Sequence, residues 1–167
     1  SYSYEKKGWY ERALEYRLKS LKSRQMLGEP NELSKSYNSL GDFYFNQGNY
    51  YQALKYYTQS YETGMAIKNK KGIAISLHNI ALVYNKLGDY QQALVRHNEA
   101  LGIKQKIGNK KEIALSLNNI GDVFIALKSY DSAYQYLSKA ASLNKEISNA
   151  SGLIETYLLM AKYWGHQ

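Results

Sequence analysis

The 167-residue chain has no cysteine and a single proline, Pro30. Without cysteine there is no disulfide framework, no thiolate zinc site and no cysteine nucleophile, and the redox compartment stays open. With so little proline, a turn-rich sandwich is disfavoured and long helices are favoured. No apolar run approaches the roughly 18 residues of a membrane span. The opening SYSYEKKGWY also has no apolar signal-peptide core. The expectation is a chain without membrane insertion, whose localisation, cytoplasmic or periplasmic, the sequence leaves undetermined.

Two features stand out against these absences: 18 tyrosines and a formal net charge of +8 at pH 7. Such a charge can mark a partner made of nucleic acid or anionic lipid, or lysines spread over a solvated surface, and their positions must decide. Lys68, Lys70, Lys71, Lys104, Lys106, Lys110 and Lys111 fall where helices are expected to end and turn, where cations favour the helix dipole. No aromatic residue is placed among them to stack bases, so nucleic acid is a disfavoured partner.

The chain repeats itself every 40 residues. Tyr10, Tyr50, Tyr90 and Tyr130 align, each followed three positions later by Ala13, Ala53, Ala93 or Ala133. Gly8, Gly48 and Gly88 precede the tyrosines, and Lys128 departs from the pattern. Apolar residues at Leu77, Ile80, Ala81 and Tyr84 follow helical spacing, Gly88-Asp89 interrupts, and Tyr90, Ala93, Leu94 and Ala100 resume it. Glycine suits the left-handed end of one helix, and the Asp or Asn after it suits the cap of the next. A second set of breaks, at Gly28-Glu29-Pro30-Asn31, Lys68-Asn69-Lys70-Lys71, Gly108-Asn109-Lys110-Lys111 and Ser148-Asn149-Ala150-Ser151, has the same period. Each unit therefore reads as a helical hairpin, and the chain as an all-α protein.

Tyr37, Leu40, Gly41 and Tyr44, then Leu77, Ile80, Ala81 and Tyr84, then Leu117, Ile120, Gly121 and Phe124 resemble the first-helix pattern of the tetratricopeptide repeat. Tyr50, Ala53 and Tyr57, with Tyr90, Ala93 and Ala100, resemble its second helix. The resemblance implies an α-solenoid, a right-handed superhelix of antiparallel hairpins, forming one array over 1–167. Its expected parts are a partial repeat 1–33, full repeats 34–73, 74–113 and 114–153, and a half repeat 154–167. The array is expected to belong to a longer protein. Its 40-residue repeat is similar to the extended variety in kinesin light chains, bacterial peptide-sensing regulators and some sensor histidine kinases. Gly41, Ala81 and Gly121 are small enough for the two helices of a hairpin to approach closely.

On a helical wheel with Asn118 at zero, Asn119 falls near 100° and Asp122 near 40°, whereas Leu117, Ile120, Gly121 and Phe124 lie between about 200° and 300°. The polar trio is expected to point away from the core. The resemblance places that side in the concave groove, as rows Asn38, His78, Asn118 and Ser39, Asn79, Asn119, with Asp42, Leu82, Asp122 one turn further on. Lys35, Asn85 and Lys86 complete the expected peptide-binding set. A carboxamide both donates and accepts, so rows of asparagine can pair with the backbone of an extended peptide. The lysine and asparagine set of arrays that clamp chaperone C-termini is not matched, and Asp42 and Asp122 favour a basic or neutral segment.

His78, His97 and His166 show no metal-ligand spacing, and no phosphate loop or serine elbow is present. His97 stands where a packed aromatic is usual. No cofactor, metal or catalysis is expected. The function expected is non-catalytic recognition of a protein or peptide, as a scaffold or the sensory region of a bacterial signalling protein. The alternatives are a structural array that self-associates as a homo-oligomer through Ile154, Leu158, Leu159 and Trp164, and a nucleic-acid binder through the basic edge.

Overall fold

The computed structural model describes residues 2–164, and the side chains of residues 10–162. The described residues form eight helices and no strand: α1 Tyr2–Leu27, α2 Pro30–Asn46, α3 Tyr50–Ala66, α4 Lys70–Leu87, α5 Tyr90–Ile107, α6 Lys110–Ala126, α7 Tyr130–Glu146 and α8 Ala150–Trp164. The chain divides into two compact units, one up to Ser76 and one from Leu77 on, with the division inside α4.

Local chemistry sets the helix boundaries. Asn49 Oδ1 accepts from Gln52 N at 3.3 Å, Asp89 Oδ1 from Gln92 N at 3.2 Å, and Asn109 Oδ1 from Glu112 N at 3.2 Å, each satisfying an amide that a helix start leaves unpaired. The residue just before each cap turns left-handed: φ is +73° at Gly48, +80° at Gly88 and +80° at Gly108. Lys68, Lys128 and Ser148 adopt the same conformation without glycine, at +56°, +58° and +54°. Gly8 departs from this scheme, because α1 runs through it as continuous helix. Trp9 stands where Asn49 and Asp89 stand in later repeats, so no side-chain cap of that kind starts a second helix there.

In the first unit α1 packs on α2 and α2 on α3. Leu40, Ala53 and Tyr57 are buried there, and the Tyr44 and Tyr56 rings stack 5.4 Å apart at 5°. In the second unit α5 packs on α6, α6 on α7, and α7 and α6 on α8. One cluster gathers Ile125, Ala133, Leu137, Ala141 and Met160, and another Leu101, Leu117, Ile120 and Ala140. The hairpins close over small residues. A Cβ on Gly41 would lie 2.4 Å from Tyr57 Cδ1, and one on Gly121 2.7 Å from Leu137 Cγ.

Candidate functional site

The first polar row is tied into the packing between helices. Asn38 Nδ2 donates to Ser76 Oγ at 3.3 Å, and that oxygen lies 2.9 Å from Ser60 Oγ. Asn118, expected to face away from the core, is only 1% exposed. Its Oδ1 lies 2.9 Å from Thr156 Oγ1, which also lies 2.8 Å from Gly152 O, so the two oxygens compete for one hydroxyl proton. Asn144 Nδ2 donates to the same Thr156 oxygen at 3.3 Å. The wheel misplaced Asn118 because it accounts only for the hairpin partner. Thr156, which bonds it, comes from α8 of the next repeat, and Asn144, at the far end of the hairpin partner α7, reaches the same Thr156 oxygen.

The middle repeat fills the corresponding place differently. His78 is mostly buried and His97 fully so, with ring centroids 5.4 Å apart. Neither nitrogen of His97, nor Nδ1 of His78, has a hydrogen-bond partner among the described residues. Burial, followed by the nearby Lys104 charge and partly offset by Glu112, lowers the His78 pKa to about 4. Burial, then His78 and Lys104, lowers that of His97 to about 3. Both rings are neutral at pH 7. Lys104, expected on a basic rim, is instead 5% exposed, with Nζ 3.1 Å from Glu112 Oε2 and 3.1 Å from Ser116 Oγ. Its long stem carries the ammonium to a carboxylate and a hydroxyl on α6, so burial leaves it paired.

The remaining expected residues have varied settings. Ser39 Oγ accepts from Arg17 Nε at 3.3 Å, Lys35 pairs with Glu32, and Asp42 Oδ1 accepts from Tyr57 Oη at 2.8 Å. In the second unit, Lys162 Nζ lies 2.8 Å from Asp122 Oδ1. Asn119 Nδ2 donates to Leu115 O of its own helix at 2.9 Å, and its Oδ1 has no partner among the described residues. The Asn79 and Asn85 side chains are partly buried and Lys86 is exposed. Lys110 pairs with Glu146, which takes another lysine out of a free basic edge. His166 and the Trp164 side chain lie outside the described residues.

Thr156, Asn144 and Asn149 were not among the expected site residues, yet Thr156 bonds Asn118 and the two asparagines line the same pocket as it does. A signal for Thr156 and Asn149 exists at the period: Ser36, Ser76, Ser116 and Thr156 align, as do Asn69, Asn109 and Asn149, whereas Asn144 aligns with Arg24, Gly64 and Lys104 and has none.

Similar folds occur among solved structures. BtubC (BKLC) from P. vanneervenii is 18% identical, with a TM-score of 0.81 over 95% of this chain and 67% of its own. Aspartyl phosphate phosphatase F from Bacillus subtilis is 17% identical, with a TM-score of 0.82 over 94% of this chain and 43% of its own. The Rap conjugation gene regulator of plasmid pLS20, in complex with the Phr* peptide, is 18% identical, with a TM-score of 0.70 over 81% of this chain and 38% of its own. The chain thus spans less than half the length of these last two proteins. No curated protein matches it. Two family models, both of the tetratricopeptide repeat, match residues 32–106 and 114–147, which together make up more than half the sequence. On these matches, and with its paired helices closing over Gly41 and Gly121, the chain belongs to the tetratricopeptide-repeat family, an all-α solenoid fold of antiparallel hairpins resembling those of kinesin light chain-like repeats from Podosopora anserina and of the Rap regulator.

Proposed function

We propose that this chain is a receptor for an extended peptide or protein segment, held by side chains of its first helices, with no catalytic step of its own. The observation that carries the reading is hydrogen-bonding capacity left unused at two equivalent positions. Asn79 on α4 has no side-chain partner among the described residues, and Asn119 on α6 uses only its Nδ2. Each can offer a donor or acceptor to a peptide backbone whatever its side chains are. A likeness to the Rap regulator bound to the Phr* peptide supports the same use of this fold. Asp42 and Asp122 already hold Tyr57 and Lys162, so the positions offer amides more than free charge and suit a neutral or weakly basic segment. The reading extends to a role as the sensory or interaction region of a larger signalling protein, in which binding would bias an attached output module.

The test is capture from a peptide library by wild type and by Asn79→Ala with Asn119→Ala. Peptides held by wild type should bind the double variant about 5- to 150-fold more weakly, the equivalent of about 1 to 3 kcal/mol for backbone groups left unpaired. Helicity and melting should hardly change. Equal capture by both proteins, or unfolding of the variant, refutes the assignment.

A second reading draws on α8, where Ile154 and Leu158 are 62% and 67% exposed and Tyr157 is 45% exposed. Contiguous apolar side chains on one helix face favour association. Self-assembly through this face would appear as concentration-dependent mass in sedimentation, abolished by Leu158→Glu.

A further inference from the structure

Four aligned positions alternate along the chain. At 24, 64, 104 and 144 stand Arg24, Gly64, Lys104 and Asn144, and eight residues later Glu32, Gly72, Glu112 and Gly152. Where the first is a long cation the second is glutamate, and the two pair: Arg24 Nη2 lies 3.6 Å from Glu32 Oε2, and Lys104 Nζ 3.1 Å from Glu112 Oε2. Where the first is short the second is glycine. At Asn144 and Gly152 no ion pair among the described residues fills the place, and a cavity of about 130 Å³ opens there, entirely within the second unit.

The floor of this cavity is built. Gly152 admits no side chain, because a Cβ there would lie 2.2 Å from Asn149 Nδ2 and 2.6 Å from Asn144 Oδ1. Those two groups are hydrogen-bonded to each other at 2.7 Å. Asn149 Oδ1 is occupied by Gly152 N at 3.3 Å and Ser151 Oγ at 3.0 Å. Asn144 Nδ2 and Asn118 Oδ1 are both engaged with Thr156 Oγ1. One polar atom of the floor is left over. Asn118 lines the cavity and is 99% buried, and its Nδ2 has no partner among the described residues. That nitrogen is not sealed from solvent, so water or a ligand entering the cavity can accept from it. The floor therefore presents a donor.

The rim has both signs of charge. Glu155 and Lys111 reach it without an ion pair among the described residues, and Glu112 reaches it already paired with Lys104. An anion that accepted from Asn118 would face Glu112 and Glu155. A cation would meet a donor floor with Lys104 and Lys111 close by. A neutral group that accepts at its tip and donates at its side satisfies both surfaces. About 130 Å³ has room for several heavy atoms, given that a water occupies roughly 30 Å³ in the liquid.

We infer that this cavity is a specificity pocket for a carboxamide, the side chain of an asparagine or glutamine in the bound segment. Its C=O accepts from Asn118 Nδ2 and its NH₂ donates to Glu155. The pocket rests on the peptide-receptor reading for its biological use, but its chemistry can be tested separately.

A phage-displayed random nonapeptide library would be panned on wild type and on Glu155→Ala, an exposed substitution that leaves the floor intact. In parallel, propionamide, propionate and propylammonium would be titrated into ¹⁵N-labelled wild type. The inference expects wild-type binders to share one fixed Asn or Gln, and Glu155→Ala binders to lose that preference. It also expects propionamide alone to shift the Asn118 side-chain amide signal saturably. Binders that fix an acidic, basic or hydroxyl residue instead, or an Asn/Gln preference that survives Glu155→Ala, overturn the pocket and leave the receptor reading standing. If no peptide is selected at all, the receptor reading falls, and the titration decides the pocket. A shift specific to propionamide then supports it, and no shift, or one shared with propionate, refutes it.

Discussion

His78 on α4 and His97 on α5 meet with ring centroids 5.4 Å apart at 53°, and three of their four ring nitrogens are buried without a partner among the described residues. The equivalent places in the third repeat hold Asn118 and Leu137. The middle repeat thus replaces a hydrogen-bonded amide and an aliphatic side chain with two neutral imidazoles.

This pair makes stability depend on pH below neutrality. In the unfolded chain both rings take up protons around pH 6.5, whereas in the folded state His78 waits until about 4 and His97 until about 3. The unfolded state therefore binds more protons as pH falls from 6.5, and stability drops across that interval. The loss is about 1.4 kcal/mol per pH unit for each fully shifted histidine. Between pH 6.5 and 5, above the carboxylate range, His97 should remove about 2 kcal/mol and the partly exposed His78 less. Urea unfolding midpoints measured across this window check it. His78→Asn with His97→Leu, which copies the third repeat, should flatten the profile, and a wild-type profile already flat over this window would sink the idea.

Glycines of equal helix propensity should respond to alanine with opposite signs. At Gly121 a Cβ would lie 2.7 Å from two atoms of the fully buried Leu137. Overpacking of about 1 to 3 kcal/mol should there outweigh the gain of about 1 kcal/mol in propensity. At Gly102, inside α5, nothing lies within 4 Å of the added atom. Gly102→Ala should raise the unfolding free energy by about 0.5 to 1 kcal/mol while Gly121→Ala lowers it, and chemical denaturation of both variants reads the two signs.

Lys128 is exposed and held at φ +58°, at the position where Gly48 and Gly88 stand in earlier repeats. A left-handed conformation costs a residue with a Cβ roughly 1 kcal/mol. Lys128→Gly should therefore raise Tm by about 2 to 4 °C. An unchanged or lower Tm would mean that the lysine side chain compensates its backbone.

Lys104 is buried against the half-exposed Glu112 at 3.1 Å. Removing one partner of a fully buried pair costs about 3 to 5 kcal/mol. Water can reach the Glu112 side of this pair, so Glu112→Gln should cost less, about 1 to 3 kcal/mol. Lys104→Met, which removes the buried charge itself, should be close to neutral. If Lys104→Met is the more damaging substitution, the ammonium's bonds to Ser116 and Glu112 stabilise the fold by more than its burial costs, because methionine keeps the apolar stem.

The sequence by itself determined the helices, their boundaries and the hairpin contacts. Those depend on neighbours within one repeat: Asn49 capping Gln52, glycine before the cap, and Gly41 or Gly121 against the side chain sixteen residues on. Gly8 marks the limit of that rule, since a glycine followed by Trp9 did not end a helix. The tertiary structure alone decided which polar residues on the first helices remain open. Asn118 and Lys104 read as surface residues on their own helices, yet both are buried, Asn118 by Thr156 and Asn144 and Lys104 against Ser116 and Glu112. Helical periodicity reports the face a helix turns toward its hairpin partner. It does not report the second face covered when the next repeat stacks, because that contact depends on side-chain length and hydrogen bonding at positions the single-helix pattern does not compare.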